Sequence, residues 1–417
     1  MHIKSISFLL YYQKLFATLA QYLQVKSMKQ YFFVLVYFLY STTFATTNEV
    51  VVGAARIDQY LPLLKGKSVG LVVNQTSMVN NIHLLDTLLS LKVDVQVVFA
   101  PEHGFRGTAD AGEHVKNGFD AKTKTAIVSL YGDNKKPKAA QLKDLDILIF
   151  DIQDVGVRFY TYISTLQYVM EACAENKKTL IVLDRPNPNG HYVDGPILDT
   201  AYRSFVGMQQ IPIVHGMTVG EYANMLNGEQ WLENKVKCEL VVITCKNYDH
   251  TTFYSLPIKP SPNLPNMNAI YLYPSLCFFE GTDIVSLGRG TDKPFQIYGS
   301  NLFKSTLPFS FTPKSVDGAK NPPLLNKECY GYNLSTLTLD SLRKQKFTLQ
   351  YLLNAYKLSN NKTIFFNSFF SKLSGNKTLK IQIQKGLSEK AIKSSWKMQL
   401  NKFKSIRKKY LLYKDFE

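Results

Sequence analysis

The chain is predicted to be an α/β protein: a Rossmann-like parallel-sheet N-terminal domain followed by a second, smaller α/β (α+β) C-terminal domain. Three observations support this. Short β-branched runs alternate with helix-like stretches, each run hands over to a polar cluster, and 417 residues suffice for two domains. The expected boundaries are an N-terminal extension and signal peptide over 1–45, a Rossmann-like domain over 46–198, and a domain completing a cleft over 199–417.

The first element is a targeting segment. Met28-Lys29-Gln30 precedes the apolar run Tyr31–Tyr40, and Ser41 to Ala45 end it in mostly small residues. A Sec-type signal peptide starting at Met28 and cut after Ala45 is expected, giving a periplasmic or otherwise exported protein. The run is too short to span a bilayer comfortably, so no stable membrane span is expected after cleavage. An uncleaved anchor is the rival reading. Next, Ser68–Val73 ends at Asn74-Gln75-Thr76, and Val93–Phe99 ends at Ala100-Pro101-Glu102-His103-Gly104-Phe105-Arg106-Gly107. Leu145–Phe150 ends at Asp151-Ile152-Gln153-Asp154, and Thr179–Leu183 ends at Asp184-Arg185-Pro186-Asn187. Helix-like stretches at 82–91 and 161–176 lie between these strands. In parallel sheets, ligands bind beyond the carboxyl ends of the strands, so Asn74, Glu102, Asp151 and Arg185 are expected on one rim.

Beyond residue 198 a helix is expected over 218–227 and a strand over 240–244. Leu256 to Pro265 carries four prolines, which remove donors and fix φ; an extended loop forming a wall of the site is expected. Residues 340–417 read as helices and short strands ending in a basic helix.

Composition narrows the function. The apolar fraction is 45% and the charged fraction 19%, ordinary for a folded globular chain and unlike a disordered or fibrous one. The net charge of +17 includes basic residues clustered near the C-terminus, among them Lys402, Lys404, Arg407, Lys408 and Lys409. Attraction to an acidic polymer or membrane surface and a plain solvated helix face both account for them. No aromatic–basic platform or zinc-finger spacing supports a nucleic-acid partner. The five cysteines, Cys173, Cys238, Cys245, Cys277 and Cys329, form no CxxC pair, so buried free thiols and no metal site are expected.

No Walker A motif, Rossmann glycine fingerprint or G-x-S-x-G elbow is present. The rim instead offers acids (Glu102, Glu113, Asp151, Asp154), forks suited to a carboxylate or phosphate (Arg106, Arg158, Arg185, Arg289), and two tyrosines able to stack on a sugar (Tyr160, Tyr162). That inventory suits glycoside hydrolysis, which needs a protonated acid beside the leaving oxygen and a second stabilising group. Each piece also has a structural reading. Asp151 can cap a turn, Arg158 can pair with Asp154 across a helical turn, and Arg185 can anchor a loop. Glu113 can start a helix, Glu280 can be a satisfied acid, and the tyrosines can be core.

The ordered motifs resemble a known family. They are Gly70–Thr76, Ala100–Gly107, Asp110–Glu113, Phe150–Ser164, Asp184–Pro188, Val214–Thr218, Pro260–Pro265, Phe279–Thr282, Gly288–Thr291 and Ser394–Trp396. Together these resemble the NamZ-type exo-β-N-acetylmuramidases, glycoside hydrolase family 171, over essentially all of residues 50–417. The resemblance implies release of terminal β-N-acetylmuramic acid from the non-reducing end of peptidoglycan fragments, in cell-wall turnover, without an organic cofactor or metal. It implies Glu102 as the leading catalytic acid, with Glu113 and Asp151 as candidate partners. The substrate-binding set it implies is Asn74, His103, Arg106, Gln153, Arg158, Tyr160, Tyr162, Arg185, Asn187, His215, Asn263, Glu280, Arg289 and Thr291. The lactyl carboxylate of muramic acid would explain the arginines, and Arg185, stiffened by Pro186, is favoured to bind it. Asn247-Tyr248-Asp249-His250 and Leu256–Lys259 depart from the family pattern. Two rival functions remain: a non-catalytic periplasmic muropeptide-binding protein, and a β-N-acetylglucosaminidase.

Overall fold

Parallel strands buried on both faces require covering layers on both sides, and the chain supplies them. The computed structural model describes residues 49–102, 104–105 and 117–417, and Val50–Glu417 form one compact unit. The expected signal segment, His103, Arg106 and Glu113 lie outside the described residues.

The central sheet contains β1 (Ser68–Val73), β4 (Asp94–Ala100), β5 (Gly118–Phe119), β6 (Ala126–Ser129), β7 (Ile147–Asp151), β8 (Thr179–Leu183) and β9 (Glu239–Ile243). A small hairpin, β2 (Met78–Val79) with β3 (Ile82–His83), follows β1. The sheet order is β5-β6-β4-β1-β7-β8-β9, all parallel except the edge pair β5–β6. Without β5, this is the doubly wound order 3-2-1-4-5-6. The sheet therefore extends past Leu198, since β9 ends at Ile243.

Alternation along each strand sorts the core. Val72, Phe150 and Val182 share one face with α2 (Tyr162–Glu175) and α3 (Val219–Gly228), through Leu166, Met170, Tyr222 and Leu226. Leu71, Val73, Ile149 and Ile181 pack on the other face against Leu84, Leu85 and Leu88 of α1 (Leu84–Ser90). Each such buried side chain contributes about 1.5–3 kcal/mol. α3 starts with a reciprocal capping box between Thr218 and Glu221.

The C-terminal part has α4 (Met267–Leu276) and a three-stranded antiparallel sheet of β10 (Ile297–Ser300), β11 (Phe309–Phe311) and β12 (Cys329–Asn333). Helices follow, ending in α5 (Glu389–Arg407). Two expectations need correction. Among the described residues no strand follows Asn333, so residues 340–417 contain no short strands. Residues 152–161 are irregular, not helical, because Gly156 takes a left-handed turn (φ +75°); Asp154 and Arg158 therefore form no helical-turn pair. All five cysteines are buried free thiols.

Candidate active site

From β1 the chain moves outward to β4 and β6, then returns to β7 on the other side. The resulting switch point opens between the carboxyl ends of β1 and β7. Asn74 follows β1 and folds into an Asx turn, its Oδ1 accepting from the Thr76 amide (2.9 Å) and hydroxyl (2.6 Å). The Thr76 hydroxyl accepts from the Gln153 amide at 3.0 Å, and the Ser77 hydroxyl donates to the Asp151 carbonyl. His83 Nδ1 accepts from the Leu85 amide, so the proton resides on Nε2, which donates to the Asn74 carbonyl at 2.9 Å. These bonds tie the two strand ends together.

Glu102, two residues beyond β4, is partly exposed. Its Oε2 accepts from the Thr161 hydroxyl at 3.1 Å, and its carbonyl accepts from the Tyr162 hydroxyl at 3.4 Å. Thr161 immediately precedes α2, so the carboxyl group is held beside the start of that helix. Tyr131, just after β6, also hydrogen-bonds this carboxylate; burial first, then Glu102, push the phenol up to about 12. Glu102 is thus oriented from two sides while remaining accessible.

Asp151 ends β7, Arg185 lies two residues beyond the neighbouring strand β8, and the two bind each other. Arg185 Nε donates to Asp151 Oδ1 at 2.5 Å and Nη2 to Oδ2 at 2.9 Å, and Nη2 also donates to the Met78 carbonyl at 3.0 Å. Both side chains are buried. Burial opposes the guanidinium charge, but Asp151 outweighs it and holds Arg185 above its ordinary range. Removing either partner would strand a buried charge, at a cost of about 3–5 kcal/mol.

The rings of Tyr160 and Tyr162 are packed in the core, edge to face at 5.0 Å, so their hydroxyls, not their faces, serve the rim. Tyr160 donates to the Pro260 carbonyl at 2.8 Å, and Gln75 donates to the same carbonyl at 3.1 Å. The proline-rich loop is therefore fastened to the rim as a wall. Burial raises the Tyr162 phenol, the Glu102 charge raises it further, and the Asn74 amide beside it works the other way.

Other candidates are enclosed. Arg158 is fully buried and donates to the carbonyls of Pro196, Ile211 (both 2.8 Å) and Leu373 (2.9 Å). Gln153 holds the Asp154 and Pro186 carbonyls, and Asn187 holds that of Met217. His215 is buried, and burial, then Arg407, lower it to about 3, which keeps it neutral. In the departing segment, Tyr248 and His250 are buried as well, with His250 Nε2 3.0 Å from Glu221.

A second group comes from the C-terminal part. Arg289 meets Glu280, Thr291 caps its own turn on the Gly288 carbonyl (2.7 Å), and Asn263 donates to the Gly318 carbonyl (2.8 Å). The sequence reading overlooked Thr161 and Tyr131 as site residues. The signal for Tyr131 is its place just past a four-residue strand, Ala126–Ser129, too short to stand out. Asp154 is buried, its Oδ2 accepts from the Gly156 amide at 2.6 Å, and its Oδ1 has no hydrogen-bond partner among the described residues.

Two family descriptions match the chain: "Exo-beta-N-acetylmuramidase NamZ, N-terminal" over residues 69–268 and the corresponding C-terminal description over 271–413. The peptidoglycan beta-N-acetylmuramidase NamZ of Bacillus subtilis (strain 168) is 38% identical over 377 residues, covering 86% of this chain and 89% of that protein. Two crystal structures of DUF1343 family proteins from Bacteroides fragilis NCTC 9343 share the architecture. One has TM-score 0.83 and 51% identity, covering 88% of this chain and 100% of the other; the second has 0.75 and 29%, covering 88% and 99%.

Proposed function

Because the chain belongs to the NamZ exo-β-N-acetylmuramidase family, we propose that it removes terminal β-N-acetylmuramic acid from the non-reducing end of peptidoglycan fragments, with Glu102 as the proton donor. The observation that supports this best is the placement of Glu102: an accessible carboxyl at a strand end, held by Thr161 and Tyr131 beside the switch-point crevice. Protonated Glu102 gives its proton to the glycosidic oxygen as the bond from C1 breaks. Water adds its oxygen to C1, and a proton returns to the carboxylate. Proton transfer and water addition require no organic cofactor. Asp151, with both oxygens on Arg185, is better suited to bracing the crevice floor than to activating the water.

The discriminating experiment incubates the protein with 4-nitrophenyl β-N-acetylmuraminide and with the matching β-N-acetylglucosaminide. Rapid nitrophenol release from the first and slow release from the second is expected. Binding of N-acetylmuramic acid without release from either would favour a binding protein, and preference for the second would favour a glucosaminidase. The segment Met28–Ala45 further supports export through a Sec-type signal, with a mature chain beginning at Thr46, into the compartment where peptidoglycan fragments arise.

A further inference from the structure

The candidate arginines among the described residues differ in exposure more than in donor use. Arg158 gives Nη1 and Nη2 to three carbonyls and leaves Nε unpartnered, and Arg185 gives Nε and Nη2 to Asp151 and Met78, but both side chains are buried. In Arg289, Nε (2.9 Å) and Nη2 (2.5 Å) both donate to one oxygen of Glu280, while Nη1 bonds no described residue. The side chain keeps 20% exposure, against 4% for Arg185. An ion pair that uses one edge of the fork leaves donor capacity on the other.

The surroundings hold that edge in place. Arg289 lies between Gly288 (φ +85°) and Gly290 (φ +79°), and a Cβ on Gly290 would fall 2.4 Å from the Lys314 carbonyl oxygen. The loop therefore cannot accept ordinary side chains without moving. The guanidinium also stacks 5.0 Å above the Phe295 ring. Arg289 and Glu280 line a cavity of about 710 Å³ with Asn321, Asn367, Phe279 and Pro322, a mixture of amides and apolar floor on the scale of a saccharide-sized ligand. Packed side chains connect this cavity with the Glu102 rim. Tyr273 lies within electrostatic reach of both Glu280 and Tyr160, its ring is 5.8 Å from that of Tyr160, and Asn263 of the proline-rich wall is bonded to the cavity residue Gly318.

We propose that this cavity is a carboxylate-accepting subsite of the active site, in which Glu280 orients Arg289 and the open edge of Arg289 binds an acid group of the substrate. The inference rests on the muramidase reading and deepens it. Two parts of a peptidoglycan fragment carry that chemistry: the lactyl group of the terminal sugar when it is free, and the stem peptide when the lactyl group is amide-linked. A carboxylate on Arg289 explains how one enzyme would distinguish N-acetylmuramic acid from N-acetylglucosamine, which differs by lacking the acidic arm.

The test uses four chromogenic probes: the muraminide with a free lactyl carboxylate, the same with that carboxylate capped as a methylamide, the same extended by L-alanyl-D-glutamate, and the glucosaminide. Thermal melts first establish that Arg289→Ala and Arg289→Lys are folded. Arg289→Ala is expected to lower kcat/KM on the free-lactyl probe by about 30-fold or more, mainly through KM, since an unmatched charge in a partly buried pair costs at least ~2 kcal/mol. The methylamide and the glucosaminide should be unchanged, and Arg289→Lys should recover part of the loss. A loss confined to the dipeptide probe would keep the subsite and assign the carboxylate to the peptide. Equal loss on all four probes, or no loss on any, overturns the proposal. If the wild-type protein fails to cleave the muraminide, the muramidase reading falls by itself. The subsite is then judged by whether Arg289→Ala weakens binding of N-acetylmuramic acid but not of N-acetylglucosamine, with no difference between the two overturning it.

Discussion

Asp154 places a carboxyl in the protein interior with only half of it satisfied. Oδ2 accepts from the Gly156 amide, Oδ1 has no hydrogen-bond partner among the described residues, and burial raises the group from 3.8 to about 7. The linkage has a definite sign. The folded pKa exceeds the unfolded one, so the favourable contribution of the neutral acid is complete below about pH 4 and is lost as pH rises through about 7. A three-unit shift corresponds to about 4 kcal/mol as an upper bound. Asp154→Asn, which cannot ionise, should gain on the wild type steadily as pH rises from about 4 to about 7, so that its margin in melting temperature is a few degrees larger at pH 8 than at pH 5. A difference between the two melting curves that is constant from pH 5 to pH 8 would contradict a buried titrating acid here. At this same scale, the rim positions Asn74, Glu102, Asp151 and Arg185 were legible because each ends a β-branched run. The Asp151–Arg185 pair was not, because it joins residues 34 apart on strands whose adjacency only the fold determines. Arg185, expected to bind a carboxylate of the substrate, holds Asp151 through Nε and Nη2 in a buried pair.

Elements were legible where burial and period agreed. The strands Ser68–Val73 and Thr179–Leu183 occur as expected, and α2 falls within a residue of the expected 161–176. Residues 152–161 were harder, since Gly156 breaks the local periodicity; a Cβ there would approach the Asn187 side chain to 2.1 Å. The three short C-terminal strands, rich in tyrosine and glycine, carry almost no alternating signal. The basic C-terminal helix is amphipathic: Ile392, Trp396, Leu400 and Phe403 form the buried stripe, while Lys390, Lys397 and Lys402 are exposed. The segment 28–45 makes its own prediction. Mass spectrometry of the exported protein should find an N-terminus at Thr46, whereas an exported chain that retains residues 28–45 would show an uncleaved anchor.

Across the whole molecule, strand–helix alternation made the fold class legible, but not the order β5-β6-β4-β1-β7-β8-β9 or the bonds that join distant parts of the chain. Arg158 reaches the Leu373 carbonyl, Arg407 holds the Gly216 carbonyl while paired with Asp415, and the Tyr413 hydroxyl donates to Asp184, the residue next to Arg185. Such contacts depend on which surfaces meet after folding, and no local pattern encodes them. They fasten the C-terminal tail to the residues just past β8 and the loop bearing Arg158 to the C-terminal part. The central claim is that Glu102 protonates the departing oxygen, and an acid matters least when the leaving group is already a stable anion. The most direct measurement compares kcat/KM of wild type and folded Glu102→Gln on phenyl and 2,4-dinitrophenyl β-N-acetylmuraminides. A loss of at least ~10²-fold is expected on the phenyl substrate and a much smaller one on the dinitrophenyl substrate; equal losses on both, or near-normal turnover of the phenyl substrate, would contradict Glu102 as the proton donor.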